Sequence, residues 1–234
     1  MQTGSGRHDA GIRYHTLVCA STTAGSTLTD DPLLSPMEPK IRLATGADAE
    51  AVTGIYAPVV EQTHISFETT PPTVEEMARR IRTTVERLPW LVCEYDGQLL
   101  GYAYASPHEE RPAYQWGVDV SVYVDESWRR KGVASALYES LFALLKLQGL
   151  GNAYAVIALP NPQSVAFHES HGFEPVGVYT DVGYKNGEWR DVGHWELSLR
   201  SLPEPPSPPT PLGELQHTDG YVDALEAGEP TVRL

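Results

Sequence analysis

The chain has 234 residues, with 17 basic and 31 acidic side chains and a formal net charge of −14 at pH 7. This excess of acid argues against a groove for nucleic acid or an anionic membrane surface, because both need clustered positive charge. Two cysteines, Cys19 and Cys93, are too few for a disulfide framework or a cysteine-rich metal site. No apolar run approaches the roughly 20 residues that span a bilayer. We therefore expect a soluble, cytoplasmic protein that binds neither nucleic acid, nor membrane, nor a metal.

Composition divides the chain into three parts. Residues 1–36 are rich in Gly, Ser, Thr and Asp and predict a disordered N-terminal extension; a regulatory tail and a natural start at Met37 are open alternatives. Residues 201–234 carry seven prolines and six acidic side chains and predict a proline-rich, acidic C-terminal tail. A ligand for a proline-recognition domain is the alternative there. Residues 37–200 are the predicted folded domain.

The middle part alternates predicted strands and helices in chain order. The predicted strands are 41–44, 90–95, 99–106, 114–124, 153–159, 173–180 and 189–199. The predicted helices are 48–60, 73–87, 132–148 and 162–171. Asp96-Gly97 predicts a tight hairpin, and Thr73 with Glu76 predicts a capping box. Hairpins early in the chain and strand–helix alternation later indicate an α/β domain around one sheet.

One acidic residue interrupts the clearest strand. Alternation places the valines from Val118 to Val124 on one face, and Asp119, Ser121 and Tyr123 on the other. A carboxylate in a central strand is costly unless it has a partner. Asp119 is therefore either a structural carboxylate or a general base whose pKa is raised by partial burial.

A basic turn follows this strand and leads into an amphipathic helix. It comprises Arg129, Arg130, Lys131, Gly132, Val133, Ala134 and Ser135. Gly132 permits close backbone approach, and the free N–H groups of a helix start favour a phosphate. The alternative is an ordinary basic turn, but its position after a strand favours phosphate binding.

The helix at 162–171 carries a polar stripe. Asn161 is a good N-cap and Pro162 suits the first helical position. Asn161, Ser164 and His168 recur at helical spacing, which is typical of a solvated face or of a cleft. His168 is a candidate acid, base or hydrogen-bond donor, whereas His171 at the helix end is a predicted terminal cap.

These motifs together resemble those of the GNAT superfamily of acetyltransferases. The turn at 129–134 resembles its pyrophosphate motif, and Asn161, Ser164, His168 and Gly172 match the spacing of its second motif. Within the superfamily the chain looks like the phosphinothricin N-acetyltransferases. The shared strings are Leu88-Pro89-Trp90-Leu91, Ala113-Tyr114-Gln115-Trp116, Ser121-Val122-Tyr123-Val124, Leu159-Pro160-Asn161, Gly187-Glu188-Trp189 and Asp191-Val192-Gly193.

The resemblance implies a central mixed, mostly antiparallel sheet flanked by helices, with splayed central strands that form the acyl-CoA cleft. It implies direct acetyl transfer from acetyl-CoA to the α-amino group of phosphinothricin or a glutamate-like amino acid such as methionine sulfoximine or sulfone. The implied catalytic residues are Asp119 and His168, joined in a proton relay, and a homodimer is implied. The implied cofactor-binding residues are Val122, Tyr123 and Val124, the turn residues 129–135, Asn161 and Ser164. The implied substrate-binding residues are Phe67, Arg111 and Tyr114.

Two positions depart from the family pattern. Asp119 replaces a glutamate and so shortens the expected base by one methylene, and Glu109 stands where close relatives carry lysine, although Arg111 keeps a second cation. Because phosphinothricin is doubly anionic, Glu109 is expected to weaken its binding. A general small-amine acetyltransferase and a non-catalytic acyl-CoA-binding module therefore stay as alternatives.

Overall fold

The computed structural model describes residues 38–234. The predicted N-terminal extension, residues 1–36, and the possible start at Met37 lie outside the described residues. The strands are β1 (Lys40–Leu43), β2 (Trp90–Tyr95), β3 (Gln98–Pro107), β4 (Gly117–Val124), β5 (Asn152–Ala158), β6 (Glu174–Lys185) and β7 (Glu188–Ser198). The helices are α1 (Ala49–Gln62), α2 (Val74–Val85), α3 (Val133–Gln148), α4 (Pro162–Ser170), α5 (Leu212–Leu215) and α6 (Tyr221–Glu226).

All seven strands belong to one sheet, in the order β1-β2-β3-β4-β5-β7-β6. Neighbouring strands are antiparallel except for β4 and β5, which are parallel. These two strands pair at three positions only, from Gly117 with Asn152 to Asp119 with Tyr154. Beyond Asp119 they part, while β4 stays paired with β3 and β5 with β7. The predicted mixed sheet with splayed central strands is confirmed.

Apolar alternation along the strands fixes the layers. The valines of β4 from Val118 to Val124 share one face and, together with Leu91 and Leu100, pack on the inner face of α3. Val92 and Tyr102 face the opposite side, where Val52 of α1 and Ile81 of α2 cover them. Helices therefore lie on both faces of the sheet, and none of those described is long and apolar enough to cross a membrane.

The predicted hairpin turn is confirmed, whereas the predicted capping box is only half formed. Asp96 and Gly97 have positive φ, as the predicted hairpin turn requires. Thr73 caps α2 by accepting from the Glu76 N–H, but the Glu76 carboxylate binds Arg79 and Arg80 instead of completing the box.

The predicted strand 114–124 begins too early. Residues Pro112–Tyr114 form a 3-10 turn instead, and β4 starts at Gly117. Proline at the first position favours this turn, because its fixed φ is already helical.

The expected C-terminal tail is wrong for its second half. Residues 201–211 contain no helix, but α5 and α6 follow, and Leu212 and Leu215 are completely buried. Leu212, Leu215, Ala224 and Leu225 join the core under α3. The prediction weighed proline and acidic content and overlooked these apolar residues at helical spacing. Their burial supplies the apolar surface that a packed segment needs.

Candidate active site

A gap between β4 and β5 begins after the last pair of the two strands, Asp119 with Tyr154, and runs toward the end of β4. Past Asp119, the edge of β4 that faces β5 has no strand partner. Val122 and Val124 on this edge are partly buried against the α3 core, and Tyr123 packs on the opposite face. A strand edge without a partner offers backbone donors and acceptors to an extended ligand. The predicted residues Val122, Tyr123 and Val124 thus line one side of the gap.

The basic turn lies where β4 ends. Arg130 and Gly132 both have positive φ, at 65° and 81°, so the chain turns sharply into α3. No side chain caps α3 at Gly132, and the N–H groups of Val133, Ala134 and Ser135 have no acceptor within the helix. An uncapped N-terminus of a 16-residue helix is suited to an anion.

The cations of this turn are not equally available. Lys131 lies over the Trp128 ring, with its Nζ 4.2 Å from the ring centroid, and Arg129 lies 3.7 Å from the Glu126 carboxylate. The Arg129–Glu126 contact is at exposed positions, where an ion pair contributes little to stability, and a cation–π contact such as that of Lys131 is worth only about 0.5–1 kcal/mol. Both side chains are therefore free to turn toward a phosphate at small cost.

The end of the chain packs directly on this turn. The Arg233 N–H donates to the Lys131 carbonyl at 2.8 Å, and a Cβ on Gly132 would collide with the Thr231 carbonyl oxygen. Further back, the Gly228 N–H donates to Ser140 Oγ on α3 at 3.0 Å. The C-terminal segment therefore holds the turn from outside.

Asp119 lies at the last paired position before the gap, and a histidine contacts it. His108 Nδ1 is 2.8 Å from Asp119 Oδ1, and both side chains are about one-third exposed. Burial raises the pKa of Asp119, and the hydrogen bond to His108 opposes part of that rise. The His108 ring also stacks on Tyr154, with centroids 4.2 Å apart.

His168 lies in a different network, between α4 and α3. Its Nδ1 is 2.8 Å from the Ser164 carbonyl oxygen, and its Nε2 is 3.0 Å from the Tyr138 hydroxyl. A carbonyl only accepts, so Nδ1 carries the proton and Nε2 accepts from Tyr138. Burial lowers the pKa of His168, because it disfavours the charged ring.

The structure does not bring Asp119 and His168 into direct contact. Among the described residues, neither ring nitrogen of His168 bonds the carboxylate, which binds His108 instead. The predicted relay is therefore not formed as a direct pair. A catalytic role for His168 stays a prediction.

The remaining predicted residues of α4 cap and hold the helix. Asn161 Oδ1 accepts from the Ser164 N–H, so the predicted N-cap is confirmed. His171 Nδ1 contacts the Phe167 carbonyl at the other end, as expected of a terminal cap.

The predicted substrate residues come from two loops. The Phe67 ring lies against Gly183 of β6, and its loop is fixed by Lys185, whose ammonium donates to the carbonyls of Val60, Ser66 and Glu68. Tyr114 lies near His108, with ring centroids 6.4 Å apart. Phe67 and Tyr114 are both partly exposed.

Arg111 and Tyr114 also line a cavity of about 500 Å³ together with Glu109 and Gln148. Val118 lines this cavity, whereas Asp119 does not. Successive residues of a strand point to opposite faces, so the cavity lies behind β4 relative to the carboxylate. The Asp119 carboxylate and the His108 ring that contacts it lie instead where β4 and β5 part.

Sequence reasoning missed His108 and Tyr154. The period-two pattern of β4 does not indicate His108. This histidine follows β3 and meets Asp119 only because β3 pairs with β4. No group of described His, Cys, Asp or Glu side chains is arranged to hold a metal ion.

Comparisons with known proteins agree with this geometry. The family model of the acetyltransferase (GNAT) domain matches residues 41–194. A phosphinothricin N-acetyltransferase of Streptomyces viridochromogenes is 40% identical over 184 residues, which cover 79% of this chain and 99% of that protein. An L-methionine sulfoximine/L-methionine sulfone acetyltransferase of Pseudomonas aeruginosa is 31% identical over 172 residues, covering 71% and 100%.

A solved structure gives the same result. The GNAT superfamily phosphinothricin acetyltransferase of Sinorhizobium meliloti, in complex with acetyl-CoA, superposes with a TM-score of 0.66 at 34% identity, covering 69% of this chain and 89% of that one. This chain belongs to the GNAT acetyltransferase family. It is an N-acetyltransferase, as the resemblance implied.

Proposed function

We propose that the enzyme transfers the acetyl group of acetyl-CoA to the α-amino group of a glutamate-like amino acid, such as phosphinothricin, methionine sulfoximine or methionine sulfone. Relatives named for these substrates cover most of the chain. The observation that carries the proposal is the parting of β4 and β5 at Asp119. It places a carboxylate of raised pKa at the closed end of a cleft whose open end meets an uncapped helix.

Acetyl-CoA fits this cleft by its own chemistry. The pantetheine arm is an extended chain of amides that suits the unpaired edge at Val122, Tyr123 and Val124. The pyrophosphate carries negative charge that suits the helix start and the three cations beside it. Asn161 and Ser164 lie at the start of α4, on the far side of the gap.

The reaction requires a free amine. A base near Asp119 takes a proton from the substrate ammonium, and the amine then attacks the thioester carbonyl. The C–N bond forms, the C–S bond breaks, and a second amine proton passes to the leaving sulfur. A backbone N–H near Val122 is placed to stabilise the oxyanion of the tetrahedral intermediate.

The substrate side is less well matched to phosphinothricin than to a less anionic analogue. Arg111 supplies a cation, but Glu109 and Glu110 add two negative charges on the same loop, and the Glu109 carboxylate is close enough to Asp119 to raise the pKa of that residue. Like charges at close range weaken the binding of a second anionic group. This observation favours methionine sulfone, whose side chain is neutral, and it keeps open a small-amine substrate outside this group.

A thiol-release assay with a panel of amino acids tests the proposal. We expect acetyl-CoA-dependent release with methionine sulfone at a higher kcat/KM than with phosphinothricin. An E109K variant should narrow the difference by raising kcat/KM for phosphinothricin alone, and E110Q, which removes a neighbouring negative charge without adding a cation, should narrow it less. Failure of every amino acid in the panel to release thiol would remove the proposed substrate class.

We also propose a homodimer, supported by the edge hairpin of the sheet. Six large apolar residues of this hairpin are each exposed over more than half of their surface: Val176, Val178, Tyr179, Val182, Tyr184 and Trp189. Exposed apolar surface concentrated on one hairpin is typical of an interaction surface. A monomeric mass by sedimentation equilibrium would refute the dimer.

A further inference from the structure

The pair formed by His108 and Asp119 is placed where acetyl transfer must occur. Asp119 makes the last β4–β5 pair, with Tyr154, before the strands part. His108 stacks on that same Tyr154. The ring therefore lies at the closed end of the cleft, beside the point where a thioester in the gap would end.

The hydrogen bond fixes which nitrogen of His108 can accept a proton. An ionised carboxylate only accepts, so the 2.8 Å contact requires the proton on Nδ1. Nε2 then carries a lone pair. Among the described residues, Nε2 has no hydrogen-bond partner, and the side chain is 30% exposed, so a substrate can reach it.

The pair also compensates for the shorter side chain at position 119, where the family pattern has glutamate and this chain has Asp119. An aspartate has one methylene less than glutamate and reaches less far into the cleft. The imidazole extends beyond the carboxylate and carries the Nε2 lone pair. An acid–histidine pair of this kind is a common way to orient and activate a general base.

We propose that His108 is the general base of this enzyme and that Asp119 positions and stabilises it. This inference rests on the proposed acetyl transfer. In the step, a substrate N–H bond breaks and its proton passes to His108 Nε2. The imidazolium is stabilised by the Asp119 carboxylate, and the freed lone pair of the amine attacks the thioester. After release of the amide, His108 returns the proton to water.

The groups around the pair come from several elements. They are Tyr154 on β5, Tyr114 on the 3-10 turn, Glu109 next in the chain and His194 on β7. Glu109 and His194 act on the Asp119 carboxylate with opposite sign. An acid limb in the rate therefore reports the whole cluster, and variants are needed to assign it.

The discriminating variant is H108N. The Asn amide N–H lies where Nδ1 does, so it still holds Asp119, but it has no basic nitrogen. If His108 is the base, kcat of H108N falls by about 100-fold or more, the usual contribution of a general base. If His108 only orders Asp119, H108N keeps most of the activity, which would overturn the proposal. The double variant H108N/D119N should be no slower than H108N, because the two groups act as a unit.

The pH profile gives a second readout. In wild type, the acid limb of kcat/KM reports the base of the free enzyme. We expect D119N to move this limb to lower pH, since the carboxylate that stabilises the imidazolium is gone. A limb that persists in H108N and vanishes in D119N would identify Asp119 as the base instead. H217Q, at an exposed histidine that follows α5, is the matched control.

A third measurement needs no substrate. A long-range ¹H–¹⁵N spectrum of histidine-labelled protein, assigned with H108N, should show His108 as the Nδ1–H tautomer, and D119N should change it. An Nε2–H tautomer in wild type would overturn the proposal. If wild type acetylates none of the panel, the proposed function fails, while the tautomer still decides the state of the pair.

Discussion

The two ends of the cleft are built in different ways. At the open end, the elements that would hold acetyl-CoA follow one another along the chain, from Val122 through the turn to Ser135. At the closed end, residues from distant segments meet: His108 after β3, Asp119 in β4 and Tyr154 in β5.

This difference decides what each end depends on. The open end needs one strand, one sharp turn and one helix start, and its properties follow from local backbone geometry. The closed end depends on strand register, because His108 meets Asp119 only when β3 and β4 pair as observed. Variants at the open end should therefore change affinity for acetyl-CoA and leave the amine alone.

Among variants outside the His108–Asp119 pair, the largest effect is expected from G132A. At φ 81°, an alanine is strained by about 1–2 kcal/mol, and its Cβ would collide with the Thr231 carbonyl. We expect KM for acetyl-CoA to rise more than tenfold, KM for the amine to change less than twofold, and the free energy of unfolding to fall by about 2 kcal/mol. Steady-state kinetics and urea unfolding measure these values.

G54A in α1 is the matched control for this substitution. Gly54 has nothing within 4 Å of an added Cβ, so alanine should stabilise the helix by about 0.5–1 kcal/mol. Equal increases of both KM values in G132A would contradict a division between the two ends, because they would mean that the turn also shapes the amine side.

A smaller effect is expected where the C-terminal segment meets the turn. R233P removes the N–H that donates to the Lys131 carbonyl, whereas R233A keeps it. Val232 is already extended, as a residue before proline should be. A net hydrogen bond contributes about 1 kcal/mol, so we expect R233P to raise KM for acetyl-CoA about threefold and R233A to leave it unchanged. The same KM in both variants would show that the segment does not brace the turn.

The sequence predicts the open end well for the same physical reason. Period-two alternation, a glycine turn and an amphipathic helix are local patterns, and they located the strand, Gly132 and the helix, whereas the splaying of the central strands was implied only by the family resemblance. The tail 201–234 was mispredicted because proline content outweighed Leu212 and Leu215, whose burial depends on α3. His108 was missed because nothing near it in the chain indicates Asp119. His168 was singled out by its spacing, yet that spacing also suits a buried helix contact.

The smallest effect is expected from H168Q, in the dependence of the free energy of unfolding on pH. Burial lowers the pKa of His168, so the unfolded chain binds a proton on this residue more readily than the folded protein does. As pH falls below the ordinary histidine value of about 6.5, unfolding takes up that proton and the folded state loses stability. We expect H168Q to be less stable than wild type at pH 7.5 and the gap to narrow at pH 5.5.

The same H168Q variant should keep the acid limb of kcat/KM where wild type has it, because the ring nitrogens of His168 are held by Ser164 and Tyr138. Loss of the acid limb in H168Q would identify His168 as the general base and would leave His108 a positioning role only. A limb kept in H168Q and lost in H108N would separate the histidine that packs α4 from the one that serves the cleft. Register, rather than motif spacing, would then identify the base in this chain.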